Sequence, residues 1–178
     1  MLARFRLGLG RVWVIAILGA IYLVSQRTIL SILEPLDPAK VLRLQLAMSA
    51  AEFVAIKQAW INAGVLDAYW HHFVFDFPHP FFYGLFSAAC IAGALRFAAR
   101  PASYDFLLLF PLAGAACDLV ENGLHVLFLV APRTISDVSV AISGTFTHLK
   151  WLLMGASTLS TIALVAWGLE IRIAARAR

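Results

Sequence analysis

The sequence predicts an all-α integral membrane protein, and three observations carry that expectation. Of the 178 residues, 62% are hydrophobic and only 13% are charged, with a mean hydropathy of +0.85. A soluble domain of this length has too little interior to hide that much apolar surface. Four segments, Val12–Leu33, Trp70–Leu95, Asp105–Ala131 and Val140–Ile171, are each near or above the ~20 residues that cross a bilayer core. The third observation is where the cations fall. In a four-span arrangement Arg4, Arg6, Arg11, Arg96, Arg100, Arg172, Arg176 and Arg178 share one side, against Arg27, Lys40, Arg43, Lys57 and Arg133 on the other. The positive-inside rule then puts both termini in the cytoplasm. The net charge of +4 follows from this topology, so it gives no reason to expect a nucleic-acid partner.

Taken in order, Val12–Leu33 follows three arginines, as a signal peptide would. Its apolar part is long, however, and "VSQRTILSIL" lacks a small-residue cleavage signature, so a retained helix is expected. The connection Glu34–Tyr69 opens with "EPLDP", where Asp37 suits an N-cap and Pro38 a first helical position. The following "AKVLRLQLAMSAAEFVAIKQAWINAG" reads as one helix stopped by Gly64. Arg43, Gln45, Glu52, Lys57 and Gln58 make it too polar for a span. It is placed as an extra amphipathic helix on the outer face, between helices 1 and 2 of a four-helix bundle. Pro78 and Pro80 should loosen the second span, and Pro111 should kink the third. Residues 1–178 need only a single transmembrane domain. Cys90 and Cys117 fall within spans and read as small packing residues, not as a disulfide.

The chemistry lies in the polar residues that interrupt the spans. Asp118, Glu121, Asn122 and His125 are spaced i, i+3, i+4, i+7 and so share one helical face. His72, Asp76 and His79 share another, and Thr147, Lys150 and Met154 a third. At ~1.5 Å of rise per residue these stripes, with Tyr83 and His148, occupy one slab between the outer third of the membrane and its midplane. Ionisable groups at a helix centre cost ~2.5–3.5 kcal/mol each on insertion, so they are expected to meet inside the protein, Lys150 pairing with Asp118 or Glu121. One such pair would fix helix register. The remaining acids are a surplus, and at least one is expected to hold a proton near neutrality.

That equipment suits general acid–base chemistry. The catalytic candidates are Asp118, Glu121, Asn122, Lys150 and Asp76, and the substrate-binding candidates are Tyr83, His125, His148, His79, Glu52 and Trp151. A metal site from His72, Asp76, His79, His125 and His148 is the competing reading, although no HExxH and no histidine box is present. The identity of any cofactor stays open. Walker, dinucleotide-binding and G-x-S-x-G motifs are absent. The thirteen phenylalanines would line an apolar cavity or face lipid.

Four stretches, "LQLAMSAAEFVAIKQAW", "FDFPHPFFYG", "CDLVENG" and "THLKWLL", together resemble an uncharacterised family of small bacterial four-span membrane proteins. The resemblance implies weight on Trp60, on Asp76 with Tyr83, on the D-x-x-E-N residues Asp118, Glu121 and Asn122, and on Lys150, with no recurring histidines. "FDFPHPFFYGLF" is also loosely similar to the kinked second helix of the sterol isomerase and sigma-2 receptor superfamily, which implies an isoprenoid or sterol-like ligand and transfers no site residues. The leading expectation is a small membrane enzyme acting on an apolar, lipid-like substrate. The rivals are a lipid-binding or proton-coupled transport protein and an accessory subunit of a larger complex. Membrane lipids, an apolar small molecule and a second copy of the chain are the expected partners.

Overall fold

The computed structural model describes residues 2–177, and among them every regular element is helical. The helices are α1 (Leu2–Leu9), α2 (Val12–Leu33), α3 (Pro38–Gln45), α4 (Ala50–Asn62), α5 (Leu66–Asp76), α6 (His79–Phe97), α7 (Leu109–Val130) and α8 (Asp137–Arg176). Short 3-10 turns at Glu34–Leu36, Ala102–Leu108 and Pro132–Thr134 link them. Four stretches, containing α2, α6, α7 and α8, are long and apolar enough to cross a membrane. Between 11% and 50% of the most apolar part of each is covered by protein, so Trp13, Ile17, Leu152, Leu159 and Ile173 face outward. An apolar exterior of that extent is stable against lipid and not against water.

The local signals explain most boundaries. Asp37, at φ 61°, accepts a hydrogen bond from the Ala39 amide and starts α3 with Pro38 behind it. Gly64, at φ 69°, ends α4: its amide bonds the Ile61 carbonyl while the Val65 amide bonds that of Trp60. This is the paired arrangement that a left-handed glycine permits. Ser136 and Ser139 cap each other at the start of α8.

Four expectations need correction. The segment after Pro38 is two helices, not one, because the chain breaks at Leu46–Ser49 and Ser49 caps α4 through the Glu52 amide. The stretch 70–95 is likewise divided. Pro78 and Pro80 supply no amide hydrogen, and α5 stops before α6 begins at His79. Pro111, by contrast, interrupts nothing: it stands in the first turn of α7, where its missing amide has no intrahelical partner to lose. Finally, α8 runs for 40 residues, about 60 Å at the helical rise, or twice the hydrocarbon thickness.

Helix α6 is the most enclosed of the four and packs against α2, α7 and α8. Ala88, Ala89 and Ala92 are wholly buried, and side chains this small let neighbouring backbones approach closely. Two apolar clusters form. One gathers Leu36, Leu44, Phe53, Trp60, Tyr69, Phe128 and Val140; the other gathers Ile91, Leu95, Leu108 and Leu164. The buried polar residues of α7 and α8, among them Asp118, Glu121, Asn122, Thr147 and Lys150, belong to neither cluster.

Candidate functional site

Lys150 is the centre of the polar layer. Its Nζ donates to Asp118 Oδ1 at 2.8 Å and to Glu121 Oε2 at 2.7 Å. The i, i+3 spacing on α7 makes this double contact possible, because both carboxylates project towards one point on α8. From α6, the Tyr83 hydroxyl donates to the second oxygen of Asp118 at 3.0 Å. Gly84 permits that reach: a Cβ there would fall 2.9 Å from the Ala115 Cβ, so only glycine lets α6 lie this close to α7. Asn122 donates to the Asp76 backbone carbonyl at 3.5 Å. His72 Nε2 lies 3.7 Å from Asp76 Oδ2.

Asp118, Glu121, Asn122, Asp76, Lys150, His72, His79 and Tyr83 are all buried. Three carboxyl groups face one ammonium, and that ammonium is already engaged by two of them. Glu121 Oε1 and Asn122 Oδ1 are buried acceptors with no hydrogen-bond partner in the protein. An unmet acceptor in a low-dielectric setting is costly, so it invites a donor from a ligand or water.

A cavity of about 480 Å³ opens beside this layer. Its floor includes His72, Asp76, His79, Tyr83, Asp118 and Lys150. Its walls are mostly apolar, from Ile29, Leu30 and Leu33 on α2, Val41 and Leu42 on α3, and Trp151 and Met154 on α8, with Gln26 and Gln45 among them. Charge at one end and hydrocarbon along the sides suit an amphiphile.

Not every candidate residue joins. His79 lines the cavity, its Nδ1 hydrogen-bonded to Ser25 Oγ at 2.9 Å and its ring stacked on Tyr22. Trp151 is largely exposed at the cavity wall. His125 is buried but sits behind the floor, its Nδ1 2.7 Å from the Tyr69 hydroxyl and its ring against Phe53. His148 lies apart, exposed and bonded to the Gly144 carbonyl in its own helix. Glu52 is exposed as well, 3.6 Å from Arg43. Among the described residues, no three His, Cys, Asp or Glu side chains are arranged to hold a metal ion. Cys90 and Cys117 are free thiols.

The structure adds residues the sequence reading passed over. Tyr22 and Gln26 bring α2 to the cavity, with Ser25 behind them holding His79, and Gln45 brings α3. The α2 group was visible as an i, i+3, i+4 polar stripe in an apolar span, weaker than the others because it carries no charge. Away from the cavity, Lys57 donates to the Phe128 carbonyl at 3.3 Å, and burial lowers the pKa of its ammonium from the ordinary lysine value.

The chain matches no protein-family model, no curated protein and no solved structure. The site is therefore read from its own geometry.

Proposed function

We propose that this is a small integral membrane enzyme that binds an apolar, lipid-like or isoprenoid molecule and acts on it by acid–base chemistry. One observation carries the reading: the apolar walls end on a buried floor whose carboxyl groups outnumber its single ammonium. Asp118 and Glu121 are the acid–base candidates, held by Lys150. Tyr83 orients Asp118 and Asn122 steadies Asp76. Lys150 offsets negative charge as it develops on a substrate.

The same proposal covers the setting. The helices α2, α6, α7 and α8 form a four-helix bundle in a bacterial inner membrane, both termini face the cytoplasm, and α3 with α4 lies at the outer interface over the cavity. Likeness to the small bacterial four-span proteins with a D-x-x-E-N motif belongs to this reading too, since Asp118, Glu121 and Asn122 are the motif residues.

The test is to reconstitute the protein in nanodiscs with a total lipid extract and to compare product profiles by mass spectrometry. The wild type should convert a component that Asp118→Asn and Glu121→Gln leave untouched, although both variants still fold. Equal conversion by all three proteins would remove the idea.

A further inference from the structure

His72 shares a helical face with Asp76, and its surroundings define a proton. The Nδ1 of His72 contacts the backbone carbonyl oxygen of Tyr69 within the same helix. A carbonyl oxygen only accepts, so Nδ1 carries the hydrogen. In a neutral ring the other nitrogen, Nε2, then has only a lone pair. That nitrogen faces Asp76 Oδ2 at 3.7 Å, the two side chains being 1% and 11% exposed. An ionised carboxylate is also acceptor-only. At 3.7 Å the two acceptors lie just beyond direct hydrogen-bond reach, and one proton on the pair, passed across after a small side-chain rotation or through one bridging water, satisfies both.

Charges on the neighbouring helices do not supply a substitute. Lys150 is committed to Asp118 and Glu121, His79 is bonded to Ser25, and Asn122, which lies against Asp76, is a neutral amide and brings no charge. Both Asp76 and His72 line the cavity.

We propose that Asp76 and His72 hold one proton between them and are the proton-exchanging pair that the cavity presents to its ligand. The proton resides on the carboxyl as O–H···Nε2 or on the ring as an imidazolium facing a carboxylate. Giving it to a ligand leaves one negative charge on the pair; taking one from the product or from water restores it. His72 is a positioning residue here, since its Nδ1 hydrogen bond sets which nitrogen confronts Asp76. This inference rests on the acid–base reading above and assigns that site its exchangeable proton. Asp118 and Glu121 keep the acid–base roles given to them above, and the Asp76–His72 pair is the further proton store beside them.

The experiment is nitrogen-15 NMR of histidine-labelled full-length protein in detergent near neutral pH, with His72→Gln used to assign the signal. The expected result is a hydrogen on Nδ1 together with an Nε2 resonance that Asp76→Asn displaces. A ring with a bare Nδ1 and its hydrogen on Nε2 would overturn the proposal in the wild type alone, whatever the variant does. An Nε2 resonance that Asp76→Asn leaves in place would overturn it equally. Neither readout needs turnover, so this result is separable from the product profiles of the Asp118 and Glu121 variants.

Discussion

Lys150 and Asp118 stand 2.8 Å apart between Nζ and Oδ1, joining α8 to α7 inside the bundle of apolar helices. With Glu121 at 2.7 Å the ammonium has two counter-charges, and no other lysine or arginine makes an ion pair with either carboxylate among the described residues. Removing the cation leaves two buried carboxylates unpaired. Lys150→Met is therefore expected to cost about 3–5 kcal/mol. Thermal unfolding in detergent checks it. Combining Lys150→Met with Asp118→Asn and Glu121→Gln should restore part of the loss, because no uncompensated charge then remains. A Lys150→Met protein as stable as the wild type would show that the pair does not hold α7 to α8.

The break between α3 and α4 is packed on α8 by backbone. Thr147 Oγ1 donates to the Gln45 carbonyl at 2.9 Å, and the Asp137 carboxylate accepts from the Ala50 amide at 2.8 Å. A Cβ added at Gly144 would run into the Ala47 carbonyl oxygen and the Met48 sulfur. Gly144→Ala should displace this link at a cost of about 1–3 kcal/mol, as overpacking does. Thr147→Val should lose about 1 kcal/mol. Limited proteolysis reads both variants, with cleavage between Leu46 and Ser49 rising in each.

At the other end of the molecule Arg6 joins α1 to the end of α6. Its guanidinium donates to Asp105 Oδ1 at 3.0 Å, to the Leu95 carbonyl at 3.0 Å and to the Arg100 carbonyl at 2.8 Å. Asp105 is 3% exposed, so losing the cation strands a buried acid. Arg6→Ala should lower stability by about 1.5–3 kcal/mol and release α1 to protease, whereas Asp105→Asn should do less. Cleavage near the N-terminus, followed by mass spectrometry, distinguishes these outcomes.

Topology has a direct check. In a background with Cys90→Ser and Cys117→Ser, Ser103→Cys should react with an impermeant thiol reagent only from the cytoplasmic side, and Asn62→Cys only from the other. Both residues lie in exposed segments between or at the ends of helices. The opposite labelling pattern would invert the proposed orientation.

Much of this was legible in the sequence because periodicity and capping are local properties. The stripe from Asp118 to His125 does lie on one buried face of α7, as its spacing requires. The Asp37, Pro38 and Gly64 signals sit at helix boundaries for the same reason. Other features depended on neighbours. At Leu46–Ser49 the apolar repeat runs on while Ser49 followed by Glu52 is a local start signal, and the close approach of Ala47 to Gly144 goes with the break. His125 and His148 matched the acids in depth, but depth leaves the angular direction open. One turned to Tyr69 and the other to the outside. Arg6 and Asp105, separated by 99 positions, offered no local sign of their partnership.

By itself the sequence determined the helical class, the four apolar stretches and the set of charged groups that lipid would not accept, since each follows from composition and a 3.6-residue repeat. Only the tertiary structure decided which of those groups meet. It drew α2 and α3 into the cavity, left His148 and Glu52 outside it, and brought Tyr83 and Lys150 to Asp118. Which side chains come within hydrogen-bond reach is fixed by helix rotation and crossing. Those are set by packing summed over the whole chain, of which no single segment carries a record.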